Sequence, residues 1–198
     1  MDFQKAQHFI SEHKLIRQEF IKLKNKSEGF EKIYSECYKG DRPGMIRLLT
    51  SQSYGPLMEK LHIRHYNKFL SKVPATKDLG DYKNTSGRHW EYKFSITNEK
   101  GNINFVQLRP WQQVDYVFEV LQLDDTLELY LVPKKEMQSL LDQHGHGAHG
   151  TKEANLGNKN VEYALRPVCT STNRCWQALK DFKISRADLE RAYEKRGV

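Results

Sequence analysis

Cysteine is scarce in this chain and odd in number: Cys37, Cys169 and Cys175 are all that 198 residues contain. Three thiols cannot staple a secreted fold and no hydrophobic signal segment opens the sequence, so a reducing cytoplasm is the expected setting. Cys169 and Cys175 stand six apart with no histidine between them, which is poor spacing for a zinc ribbon, and Cys37 falls among the apolar positions of a helix. Long apolar runs are missing too. Nothing approaches the ~20 residues that a spanning helix needs, which excludes insertion by such a helix, and no membrane partner is expected. No phosphate-binding loop, G-x-S-x-G or H-E-x-x-H pattern occurs, and the common nucleotide-hydrolysing, serine-hydrolase and zinc-protease classes lose their usual signatures.

What the chain does carry is charge, with 32 Lys and Arg against 25 Asp and Glu for a net +7, a balance that favours a polyanionic partner. Hydrophobic content of 38% and the absence of repeats fit one domain over residues 1–198 with a real core. Phe3, Ala6, Ile10, Ile16, Phe20 and Leu23 recur near helical spacing, and a second helical piece follows through Phe30, Ile33, Tyr34 and Cys37 until Gly40-Asp41-Arg42-Pro43 ends it. Further helices are expected over residues 45–49 and 57–69, interrupted near Tyr54-Gly55-Pro56, so that residues 1–72 form a helical layer.

After Pro74 strands take over. A sheet core is expected over residues 78–133, built from segments at Asp81 and Glu91 and from residues 103–108, 114–123 and 127–132. Asn98-Glu99-Lys100-Gly101 and Asp124-Asp125 read as turns. A short helix over 134–142, a strand over 161–167 and helices over 176–182 and 185–196 complete the chain, the last capped by Ser185 with Asp188 in the N3 position. Helices flanking a strand-built centre define an α/β layered domain.

The densest chemistry lies in residues 81–93. Trp90, Tyr92, Phe94 and Ile96 alternate with Glu91, Lys93, Ser95 and Thr97, the period-two pattern of a strand with one apolar face. Glu91 and Lys93 therefore point together, away from the aromatic side. The turn Thr85-Ser86-Gly87 lets the segment opened by Asp81 lie beside this strand, so that the two carboxylates meet. Carboxylates are hard ligands suited to Mg²⁺, and a cation held by Asp81 and Glu91 would offset charge developing at an attacked phosphodiester, with Lys93 beside the attacking water. A plain half-exposed strand also reads Glu-x-Lys, Asp81 also suits a turn, and Asp78 competes for its role.

Gly80-Asp81 followed by Glu91-Tyr92-Lys93 on an alternating strand resembles the PD-(D/E)XK nuclease signature, and the chain is similar to type II restriction endonucleases of that superfamily. The usual proline before the aspartate is replaced by Gly80. The resemblance implies a mixed β-sheet flanked by helices and a Mg²⁺ ion bound by Asp81, Glu91 and the backbone carbonyl of Tyr92, with Lys93 serving the water. It also implies a further helix carboxylate, for which Glu59 is the best match in chain order. The implied activity is site-specific hydrolysis of double-stranded DNA to 5′-phosphate and 3′-hydroxyl ends, with a homodimer the commonest arrangement and a monomer or heterodimer the alternatives.

Two segments are expected to contact that substrate. Gln107 and Arg109 alternate after a core strand, and their side chains suit phosphates or base edges, whereas Trp111 suits packing. Residues 143–160 form a polar Gly-, His- and Asn-rich loop, too long for a connector, whose His149, Thr151, Lys152, Asn155, Asn158, Lys159 and Asn160 would meet DNA. A rival use of the loop is zinc binding by His144, His146 and His149. Rivals for the whole chain are a structure-directed repair or recombination nuclease and a DNA-binding protein without catalysis.

Overall fold

The computed structural model describes residues 27–48, 51–74, 79–147 and 161–194, and the helix expected near the start, over residues 2–24, lies outside them. Helix α1 (Ser27–Ile33) runs straight into a π turn, Tyr34–Tyr38, which buries Cys37 and Tyr38. Burial, reinforced by the Glu36 charge, pushes the Cys37 thiol up to about 12, the behaviour of a core residue and not of a nucleophile. After a 3-10 turn, Pro43–Leu48, helix α2 spans Ser51–His65.

The interruption expected at Tyr54-Gly55-Pro56 does not occur, and Pro56 sits inside α2. In the second turn it forfeits one i→i−4 bond, while Leu57, Met58 and Leu61 bury against the sheet and carry the helix past it. The helical layer also ends earlier than residue 72. Strand β1 (Leu70–Lys72) follows α2, a three-residue piece too short to show a period in the sequence.

Among the described residues a six-stranded sheet runs in the order β1, β2 (Tyr82–Asn84), β3 (His89–Ile96), β5 (Asp115–Leu121), β6 (Leu127–Val132) and β9 (Lys183–Ile184). Only β3 and β5 pair in parallel, with Glu91 opposite Tyr116 and Lys93 opposite Phe118. The strand expected at 103–108 is not part of it. Strand β4 (Phe105–Leu108) pairs instead with β8 (Tyr163–Leu165), which in turn pairs with β7 (His146–Gly147), in a second, three-stranded sheet. Helices α3 (Lys134–His144), α4 (Arg174–Lys180) and α5 (Arg186–Glu194) complete the mixed α/β architecture. The Ser185 cap is present as expected: its Oγ accepts from Asp188 N–H at 3.1 Å and donates to the Asp188 carboxylate at 2.5 Å. No helix among the described residues is long and apolar enough to cross a membrane.

Both faces of the main sheet are covered. Trp90, Tyr92, Phe94, Val117 and Leu121 pack with Leu57, Met58 and Leu61 of α2 and with Leu189 and Tyr193 of α5. Tyr116, Phe118 and Val120 pack on the other side with Phe105, Leu108 and Leu165 of the small sheet and with α3 and α4. All seven residues of β5 are buried in consequence.

A polar network runs through the first of these layers. Glu119 of β5 is fully buried and accepts from the Tyr92 hydroxyl at 2.6 Å, with His62 Nδ1 at 3.8 Å and Arg186 at 3.6 Å. Burial holds the His62 pKa below its ordinary value. Burial pushes Glu119 the other way, but His62, Arg186 and the Tyr92 hydroxyl outweigh it and keep the carboxyl below its usual range. Arg186 is thus the counter-charge of a buried carboxylate. Arg186→Ala should cost roughly 3 kcal/mol or more in urea unfolding, as expected when one partner of a buried ion pair is removed. A cost near zero would mean that Glu119 is neutral in the folded chain.

Candidate active site

The hairpin that brings the acids together is locked by Asn84, whose Oδ1 accepts from Ser86 N–H at 3.1 Å and Arg88 N–H at 2.9 Å while its backbone carbonyl accepts from Gly87 N–H at 3.0 Å. Gly87 takes φ +83 at the tip, so the turn expected at Thr85-Ser86-Gly87 forms with β2 antiparallel to β3. One residue before β2, Asp81 N–H still donates to Trp90 O at 2.9 Å. There the backbone ladder stops and a side chain takes over: Asp81 Oδ2 accepts from Tyr92 N–H at 2.8 Å. N–H and C=O of one strand residue leave on the same edge, so the Tyr92 carbonyl is turned to the Asp81 edge as well.

Gly80 sets this bend. Its φ is +72, which proline cannot adopt, and a Cβ there would stand 2.6 Å from Trp90 O.

Glu91 projects from the face opposite Tyr92 and is only 2% exposed, because the second core layer covers that face. Its Oε1 forms an ion pair with Lys93 Nζ, whereas its Oε2 is buried without a hydrogen-bond partner. A buried carboxylate oxygen left alone is costly, by ~1–3 kcal/mol and more when charged, and a cation on this edge would satisfy it. Asp81 reports the same crowding. Burial first, and then the Glu91 carboxylate, push it up from 3.8 to about 7, against the opposing pull of Lys93 and the Tyr92 N–H.

Two carboxylates, a carbonyl and an ammonium thus share one strand edge. Glu59 is nearby but otherwise engaged, its Oε1 bound to Lys72 Nζ at 2.8 Å. Its charge is felt by Asp81 through space. Among the described residues no three or more acids, histidines or cysteines gather closely enough to hold a metal, so Glu59 is not drawn into the pair. The hard-oxygen donors present fit Mg²⁺, which keeps waters and shares phosphate oxygens.

The expected substrate contacts fare differently. Gln107 is exposed and takes φ +57 at an irregularity in the β4–β8 pairing, a strained backbone for a residue other than glycine. Arg109 is tied to Glu162 at 2.9 Å, and its backbone N–H and carbonyl bracket the Tyr116 hydroxyl at 3.1 and 2.9 Å, so it is a structural anchor in this arrangement. Trp111 is half-buried. The loop starts later than residue 143, since His144 ends α3 and His146 pairs with Ala164. Asp78 and the loop residues His149, Thr151, Lys152, Asn155, Asn158, Lys159 and Asn160 lie outside the described residues. Gly145, Gly147 and Gly150 have the spacing of a dinucleotide-binding turn in the sequence, but Gly145 follows α3 directly and not a strand, which removes that context.

Two features were missed from the sequence. Arg88, Lys134, Lys135 and Gln138 line a groove of about 560 Å³ with Asp115, the residue opposite Trp90 and one register step from Glu91. No local pattern joins Arg88 to α3. The buried Glu119, by contrast, left a trace as the lone acid in Tyr116-Val117-Phe118-Glu119-Val120-Leu121. No protein-family model matches the chain, and no curated protein matches it.

Gly80→Ala should cost about 1–2 kcal/mol, the penalty of a left-handed residue with a Cβ, and lower the melting temperature. An unchanged melting temperature would mean that the Gly80 turn relaxes freely. For Asp81, the folded chain holds its proton up to about pH 7, while an unfolded carboxyl releases it near 3.8. The folded state therefore binds more protons between those values and loses stability as pH rises through them. Asp81→Asn should melt higher than wild type at pH 8, with the gap closing toward pH 4. Equal melting temperatures at pH 8 would contradict the crowded pair.

Proposed function

We propose that this chain is a Mg²⁺-dependent endodeoxyribonuclease of the PD-(D/E)XK type, a type II restriction endonuclease that hydrolyses double-stranded DNA at a short specific sequence. The observation that carries the proposal is the partnerless buried Oε2 of Glu91, set on the edge where the Asp81 carboxylate and the Tyr92 carbonyl also stand. These groups would hold the ion. When bound, it would polarise a phosphate oxygen and offset charge at the attacked phosphorus.

The chain's own residues do the rest. Asp81 reaches its ligand form by releasing a proton near neutral pH. Lys93, paired with Glu91 and 17% exposed, would orient a water or stabilise the phosphate being attacked. Arg88, paired with Asp115, and Lys134 and Lys135 line the adjoining groove and would be the groups to meet a DNA backbone. Hydrolysis on this plan leaves 5′-phosphate and 3′-hydroxyl ends, and one site cuts one strand. A homodimer then serves both strands, with sequential nicking by a monomer or pairing in a heterodimer as the other arrangements.

The test is incubation of the purified chain with plasmid and phage DNA, with Mg²⁺ and with a chelator. Discrete fragments that need Mg²⁺ are expected. Glu91→Ala should abolish both cleavage and Mg²⁺ uptake, whereas Lys93→Ala should slow cleavage ~10²–10³-fold and leave the ion bound. Undiminished cleavage by Glu91→Ala would overturn the site, and cutting of branched DNA in preference to linear duplex would replace sequence specificity by structure specificity.

A further inference from the structure

The two strand residues that follow the acids, Tyr82 after Asp81 and Tyr92 after Glu91, both turn to the far face of the sheet and end in one polar network. The Tyr82 hydroxyl meets that of Tyr193 at 3.0 Å, Tyr193 meets His62 Nε2 at 2.8 Å, and His62 Nδ1 meets the Tyr38 hydroxyl at 2.9 Å. Tyr92 adjoins the set through Glu119, to which its hydroxyl donates at 2.6 Å and which stands 3.8 Å from His62 Nδ1. Tyr38, His62, Tyr82, Tyr92, Glu119 and Tyr193 are each at most 4% exposed. His62 lies on α2 one turn from Glu59, so the network ties together the helix and both strands that carry the acids.

Packing alone does not call for this. Phenylalanine at 82 and 92 would fill the same volume with no polar groups to satisfy. The hydroxyls add direction, because each fixes the height of its own strand against α2 and α5, and a strand residue that moves carries its neighbour's side chain with it. Tyr92 bears most on the site, since its N–H holds the Asp81 carboxylate and its carbonyl shares that edge.

We propose that His62, Tyr193 and Glu119 act as a positioning network that sets where the Asp81 and Glu91 carboxylates stand relative to one another, through the hydroxyls of Tyr82 and Tyr92. Its consequence for cation binding rests on the magnesium proposal above; its consequence for backbone geometry does not. Outer partners of metal ligands of this kind change metal affinity by ~10–100-fold when removed.

Tyr92→Phe and Tyr82→Phe, one on each strand, keep the rings and remove one hydroxyl apiece. Tyr130→Phe is the control: that hydroxyl is as short a donor, 2.6 Å to Glu128, but belongs to the other core layer. Two measurements apply to all three proteins: amide hydrogen exchange at residue 92, and Mn²⁺ affinity by titration calorimetry at temperatures where each variant is folded. Faster exchange at residue 92 and about tenfold weaker Mn²⁺ binding are expected for Tyr92→Phe and Tyr82→Phe, against wild-type values for Tyr130→Phe. Exchange and affinity no different from the control would overturn the network's role. Faster exchange in a chain whose wild type takes up no Mn²⁺ would leave the positioning standing and sink the magnesium proposal.

Discussion

The bond from Tyr92 N–H to the Asp81 carboxylate is the constraint on which the site depends. Up to Trp90 the hairpin is closed by backbone partners; one step later a carboxylate substitutes for a carbonyl in the ladder. That exchange draws Asp81 against β3 at the level of Glu91, on the edge where β2 has already left. Gly80 makes it possible by turning the chain through a left-handed conformation in the one place where a Cβ would strike Trp90 O.

The electrostatic cost of the arrangement falls on the folded state. Glu91 is buried with half-buried Asp81 beside it and Lys93 paired to Glu91, and Asp81 answers by holding its proton. Groups tuned in this way are a mark of chemistry more than of stability, because an apolar pair of the same size would fold more easily. The opposite face of the sheet carries a second buried carboxylate, Glu119, with a different solution: an arginine, a tyrosine hydroxyl and a histidine surround it. Glu119 Oε1 also lacks a hydrogen-bond partner, but the Glu119 carboxyl stays below its usual range while the Asp81 carboxyl is pushed above its own. That contrast singles out the strand edge at Asp81 and Glu91.

Local periodicity determined a good deal by itself. Alternation along Trp90-Glu91-Tyr92-Lys93 assigned opposite faces to the aromatics and to the Glu–Lys pair, and the Thr85-Ser86-Gly87 turn set the acids side by side, because a two-residue period and a tight turn leave little geometric freedom. The 127–132 strand and the Ser185 cap were legible for the same reason. Pro56 misled because propensity was outweighed by the burial of Leu57, Met58 and Leu61, and β1 was too short to declare a period.

Tertiary structure decided the rest. Whether the Glu91 face meets solvent or a second core depends on β4 and β8 pairing across sixty positions of sequence, as Phe105 with Leu165, and no local pattern encodes such a pairing. The raised pKa of Asp81, the stranded oxygen of Glu91 and the capture of Arg109 by Glu162 all follow from that cover. Sequence fixes which groups share a strand face, since that is a matter of one bond rotating into the next. Only the packed chain fixes their dielectric surroundings and their partners, since those come from residues that are distant along the backbone and near in space.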